Sequence, residues 1–209
     1  MDLADAPAPP GSGAPVAPPG GPRAALARFA TRRAAAARFR SPWRAEAWLR
    51  LACAATPVFD PCFGQLVALR RARENRWGAV ATAQDATQRF PRNPDAWMLL
   101  GEAQLMVFRQ LDALTAFEQA MTIVERADAA LAAGEIYFRQ GRHPEAAARF
   151  ARAYAAGGGP DALRRNAQAL YRAGDEAAAE AALRLWSEQV PGGAERLAEA
   201  RTELRAERR

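Results

Sequence analysis

Apolar residues in the middle of this chain fall at helical spacing in paired runs. From Pro94 to Phe108 they occupy Trp97, Leu100, Leu105 and Phe108, with Gln104 the polar exception. From Leu111 to Ile123 they occupy Leu114, Phe117, Ala120, Met121 and Ile123. Steps of three and four place each set on one face of a helix, and the short break between the runs predicts a helix hairpin. The breaks are better marked further on. Gly141 and Gly174 follow a first helix, and Pro144 or Asp175 opens the second, which are ordinary stop and start signals.

The hairpin recurs. Trp97, Leu100, Gly101, Ala113, Phe117 and Ala120 are echoed by Gly134, Tyr137, Ala146, Phe150 and Ala153, and again by Leu163, Ala167, Ala179, Leu183 and Pro191. The offset is 33 residues at both steps, as from Gly101 to Gly134 to Ala167. A period near 34 means one supersecondary unit stacked on copies of itself. Small residues fall where the two helices of a unit would cross (Gly101 with Ala113, Gly134 with Ala146, Ala167 with Ala179), and a large Phe117, Phe150 or Leu183 follows four residues later. Small against large is how close-packed helices interdigitate.

These residues resemble the tetratricopeptide repeat, whose signature runs Trp, two residues, Leu-Gly, two residues, Tyr, then Ala, three residues, Phe, and finally Pro. Residues 94–126 match it at Trp97, Leu100, Gly101, Ala113, Phe117 and Ala120, with Gln104 in the Tyr place and Glu125 in the Pro place. Residues 127–159 match at Gly134, Tyr137, Gly141, Ala146, Phe150 and Ala153, whereas 160–193 keep Gly174, Ala179 and Pro191. A further copy is expected at 60–93 on Leu66, Ala79, Ala86 and Pro91. The resemblance implies an all-α superhelix of about four units over 42–209. A packing helix at 42–56 would precede it, and a capping helix at 194–209 would carry Leu197, Ala200 and Leu204 on one stripe.

The same resemblance implies a binding site. In this family the first helices line a concave groove, and their positions 2, 5, 9, 12 and 13 commonly meet a peptide or helix. Those positions hold Arg71 in the first copy and Asp95, Met98, Glu102, Leu105 and Met106 in the second. They hold Asp128, Leu131, Glu135, Phe138 and Arg139 in the third, then Asp161, Arg164, Gln168, Tyr171 and Arg172 in the fourth. The implied groove is apolar at Leu105, Leu131 and Phe138 and arginine-rich toward Arg139, Arg164 and Arg172, which suits a peptide or amphipathic helix with an acidic end. The chaperone-binding subclass grips a terminal carboxylate through Lys and Asn. Met98, Glu102, Leu131 and Glu135 stand in those places here, so that specialisation is excluded.

Composition changes the picture mainly at the N-terminus. All 29 basic residues are arginine, the mark of a GC-rich bacterial genome, so a pI near 10.5 overstates any specific role for charge. Yet seven arginines face only Asp2 and Asp5 within residues 1–45, while 22 arginines nearly balance 21 acids in the rest. Residues 1–22, built of Pro, Gly and Ala, read as a disordered tail. Residues 23–41 read as an Arg-rich linker or helix, and a segment such as 23–44 can meet RNA or an anionic membrane face. Ser41-Pro42 is a helix start, with Ser as the cap.

Candidate chemistry is thin. His143, the one histidine, precedes Pro144 and reads as a cap or an exposed turn residue. Cys53 and Cys62 read as reduced core thiols. No nucleophile stands in a pattern with a base, and no metal cluster or cofactor motif occurs. The start of the chain lacks the apolar stretch of a secretory signal, no run of apolar residues is long enough to span a bilayer, and a cytoplasmic location is expected. The sequence thus reads as a non-enzymatic protein-interaction scaffold without cofactor or metal.

Overall fold

The computed structural model describes residues 21–206, which form eleven α-helices and no strand. Residues 1–20, most of the segment expected to be a disordered tail, lie outside the described residues, while Gly21 and Pro22 open the first helix. The chain divides into two compact units, one ending at Cys62 and the other starting at Phe63.

In the first unit α1 (Gly21–Ala37) and α2 (Pro42–Ala55) form an antiparallel hairpin. Its seam is almost pure alanine: Ala27, Ala30 and Ala34 on α1, with Ala45, Leu49 and Ala52 on α2, are all buried. Side chains this small let the two backbones approach closely. The sequence reads 23–41 as an Arg-rich linker or helix and 42–56 as a packing helix before the repeats; α1 is a helix, and it pairs with α2. Alanines three and four apart are an apolar face, but one without the bulk by which such faces are noticed. Ser41 stands at the N-cap of α2 with Pro42 behind it, yet its hydroxyl makes no capping bond. Cys53 and Cys62 are buried and unbridged. The hydrogen bond with Cys53, together with burial, holds the Cys62 thiol far above its ordinary range, so it stays protonated.

The second unit is a stack of helix pairs: α3 (Cys62–Ala72) with α4 (Arg76–Arg89), α5 (Pro94–Met106) with α6 (Gln110–Ile123), α7 (Ala127–Arg139) with α8 (His143–Ala155), and α9 (Gly159–Ala173) with α10 (Glu176–Gln189), followed by α11 (Gly193–Ala206). Every first helix closes alike. The backbone N–H of Asn75, Arg109, Arg142 and Asp175 donates to the carbonyl five residues back, on Arg70, Gln104, Tyr137 and Leu170, at 2.9 to 3.0 Å. That bond requires a left-handed residue just before the donor. Gly141 and Gly174 serve in the later copies, but Glu74 at φ 59° and Phe108 at φ 62° do so in the earlier ones.

Within the pairs, large residues of the second helix seat on small residues of the first. The ring of Phe117 lies against the Cα of Gly101 and that of Phe150 against Gly134, where a Cβ would stand 2.6 Å from Phe150 Cε1. Both phenylalanines are fully buried, among Met98, Ala113, Ala129, Ile136 and Ala146. Toward the C-terminus Leu183 and Trp186 take over, packed with Leu163, Ala167 and, from the last helix, Ala200 and Leu204. Leu197 is half-buried beside Ala200 and Leu204 on α11.

Two substitutions test this account. Gly134→Leu should cost about 1–3 kcal/mol by overpacking against Phe150, and urea unfolding of Gly134→Leu, Phe150→Leu and their combination should give less than the sum of the single losses. Phe108→Gly should stabilise the fold by about 1 kcal/mol, because a bulky residue leaves the left-handed region. An unchanged unfolding midpoint would argue against strain at that turn.

Candidate functional site

Side chains of the first helices α3, α5, α7 and α9 meet one another from repeat to repeat. On α5, Glu102 lies within the electrostatic reach of Arg71 from α3 and Asp128 from α7. On α7, Glu135 pairs with Arg165 of α9, Oε1 to Nε at 3.0 Å. On α9, Arg164 donates to Glu203 of α11 at 2.7 Å and lies over the Trp186 ring. These contacts arise because each helix pair stacks on the next, which brings side chains of successive first helices, at different positions within their repeats, beside one another.

The middle of this face is apolar. Leu105, Leu131 and Phe138 are half-buried, their inner sides packed on the central core and their outer sides open. Met98 differs from the implied assignment: it is 8% exposed and belongs to the core cluster with Phe117 and Tyr137. Met106 packs against Val67, Ala79 and Val80 of the preceding pair. His143, expected as a cap or exposed, is instead the first residue of α8, half-buried, with its ring edge to face with Phe138 at 5.0 Å.

Toward the C-terminal end the face opens into a cleft of about 470 Å³ between α9 and α11, lined by Asp161, Arg164, Arg165, Gln168 and Glu203 over Leu183, Ala200 and Leu204. Arg165 Nη1 donates to the side-chain oxygen of Gln168 at 3.3 Å. Tyr171 packs on the C-terminal core, while Arg139 and Arg172 are exposed, as is Arg71 at the opposite end. Arg165 and Glu203 escaped the sequence reading. Glu203 lies on the exposed side of the helix whose Ala200 and Leu204 are buried, which the cap stripe already implied. Arg165 carried no such signal, because a groove template assigns it to a flank.

Charges on this face are set by neighbours. Arg126, in the linker before α7, donates to Asp128 through Nε and Nη2 at 2.9 and 2.7 Å and to Asp95 through Nη1. The hydrogen bonds from Arg126 hold the Asp128 carboxyl below the usual carboxylate range and raise the guanidinium in turn. Glu102 goes the other way. Loss of solvent and repulsion from Asp128 raise it, against the pull of Arg71. An exposed pair such as Arg164–Glu203 is worth about 0–1 kcal/mol, so Glu203 is only weakly held on Arg164. Among the described residues, no group of three or more His, Cys, Asp or Glu side chains is placed to hold a metal ion, and no helix is long and apolar enough to cross a membrane.

Known proteins bear on the fold. The family model described as tetratricopeptide repeat matches at residues 67–123, 109–161 and 131–194, which together cover more than half of the chain. The chain belongs to the tetratricopeptide repeat family. No curated protein sequence matches it. Among solved structures it is similar to MamA, with TM-score 0.65 and 17% identity over 78% of this chain and 91% of that one. It is also similar to TTC0263 of Thermus thermophilus, described as a thermophilic TPR protein, with TM-score 0.54 and 22% identity over 86% and 98%. A third is PilW, described as a type IV pilus biogenesis factor, with TM-score 0.59 and 18% identity over 87% and 93%. At these identities the likeness is one of fold. The fold is that of a protein-interaction scaffold.

The two perturbed carboxyls predict opposite pH behaviour. Glu102 titrates higher in the fold than in the unfolded chain, so its ionisation weakens the fold once the pH exceeds about 4. Glu102→Gln should therefore raise the melting temperature at neutral pH, and the gain should vanish below that range. Asp128 titrates lower in the fold, so the stability it brings is present at neutral pH and is lost in acid. Asp128→Asn should lower the neutral melting temperature. Parallel shifts of the two variants in a pH series of thermal melts would contradict the geometry.

Proposed function

We propose that this chain is a non-enzymatic adaptor whose first helices hold an extended peptide or an amphipathic helix with an acidic end. The observation that supports this reading is that successive helices contact one another through these side chains, Glu102 near Arg71 and Asp128, Glu135 with Arg165, and Arg164 with Glu203. Its apolar centre of Leu105, Leu131 and Phe138 offers burial to alternate side chains of a ligand. The α9–α11 cleft offers Arg164 and Arg165 to the carboxylates beyond them. Arginine presents a planar fork that matches a carboxylate, so both orientation and register of the ligand would be set at that end. The ligand would run with its acidic end toward α11.

Replacing Phe138, Arg139 and Tyr171 together should abolish capture of partner proteins in a pull-down while helical content by circular dichroism stays at the parent level. Since Phe138 also touches His143, Arg164→Gln with Arg165→Gln provides a second variant that leaves the core alone. Peptides selected on the parent chain from a random library should carry Asp or Glu at one end and bind this second variant at least about tenfold more weakly. Selected peptides without acidic ends, or unchanged binding to both variants, would refute the groove.

A further inference from the structure

The α1–α2 hairpin carries its most exposed aromatic groups at its turn. Phe39 is 90% and Trp43 61% exposed, although the alanine seam of the hairpin needs neither. The turn that presents them is pinned: the Ser41 N–H donates to Ala37 O at 2.8 Å, the Ala45 N–H donates to Ser41 O at 3.0 Å, and Pro42 restricts the backbone between. Arginines surround the rings. Arg38 lies over Phe39 at 5.8 Å and Arg44 over Trp43 at 4.9 Å, with Arg40 between them in sequence. No acidic residue occurs between Asp5 and Glu46.

We propose that this turn docks on the surface of an anionic lipid bilayer, Phe39 and Trp43 entering the headgroup region while Arg38, Arg40 and Arg44 meet lipid phosphates. The inference does not depend on the groove. Aromatic rings with polar or charged companions settle at the boundary of hydrocarbon and water, and long basic side chains there bend toward the phosphates. Each arginine near an anionic leaflet favours binding by about fivefold, so three together are worth roughly 100-fold. A polynucleotide also offers phosphates, but its bases would have to stack on ring faces that guanidinium groups already cover. A bilayer accepts ring and guanidinium together.

The test floats the full chain with vesicles of phosphatidylcholine alone or mixed with phosphatidylglycerol, and titrates it in parallel with single-stranded oligouridine. The chain should float with the mixed vesicles only, and less so as salt rises from about 50 to about 300 mM. Arg38→Gln, Arg40→Gln and Arg44→Gln combined should weaken partitioning roughly 100-fold. Phe39→Ser with Trp43→Ser should weaken it at least about tenfold with unchanged helical content, since both rings lie outside the seam. The Phe138, Arg139 and Tyr171 variant should float like the parent, so that this inference and the groove can fail separately. Equal flotation with phosphatidylcholine alone, full binding by the Phe39 and Trp43 variant, salt-independent binding, or tighter binding to oligouridine than to mixed vesicles would each overturn it.

Discussion

The second unit depends on a phenyl ring resting on a bare helix backbone. Phe117 over Gly101 and Phe150 over Gly134 bring the two helices of a repeat close enough for the surrounding alanines to touch, and no side chain other than hydrogen fits beneath the ring. Much of the remaining packing is a consequence of that close approach. It buries Ala113, Ala129, Ala133, Ala146 and Ala153 completely, although none is large enough to reach across a wider gap. It also fixes how far each pair is displaced from the last, and so where side chains of successive first helices meet. The fourth repeat solves the same problem with other volumes. Ala167 replaces glycine, Leu183 replaces phenylalanine, and Trp186 fills the space one turn on.

Polar contacts between repeats keep that displacement in register. Arg126 joins the starts of α5 and α7 through Asp95 and Asp128, and Arg149 reaches Glu118 one repeat back at 2.7 Å, sharing it with the Tyr137 hydroxyl at 3.2 Å. Arg152 holds both oxygens of Glu125. The buried Asn166 amide donates to Ala147 O at 2.7 Å. A guanidinium has the planar, multiply donating shape for such ties, and a chain with arginine at every Lys-or-Arg position supplies it throughout. In the second unit many of those arginines pair with acids, and some, such as Arg109 over Trp77 and Arg164 over Trp186, also lie over rings. In the first they stack on aromatic rings, as Arg33 does over Trp48 at 5.8 Å, with few acids in sequence reach.

Parts of this were written plainly in the chain, and parts were hidden by what occupies a position. The turns at Gly141 and Gly174 were legible because glycine marks the left-handed site, whereas the same turns at Glu74 and Phe108 were not, since neither residue advertises that backbone. The half-buried Leu105, Leu131 and Phe138 lie on helical faces that the apolar spacing already marked. The depth of Met98 was not legible, because position on a helix circumference does not say how deep the neighbouring repeat will bury it. The pairing of α1 with α2 was obscured by alanine, which forms a seam without raising the apolar signal.

By itself the sequence determined the repeat, its period, the helix hairpin and the identity of the small residues at each crossing, because these are local patterns that any copy must satisfy to stack on the next. Only the tertiary structure decided which side chains of successive helices become neighbours, as Glu135 with Arg165 and Arg164 with Glu203, and that a cleft opens between α9 and α11. Those outcomes depend on distances across repeats, which are set by how closely a ring can approach a backbone and not by any spacing along the chain.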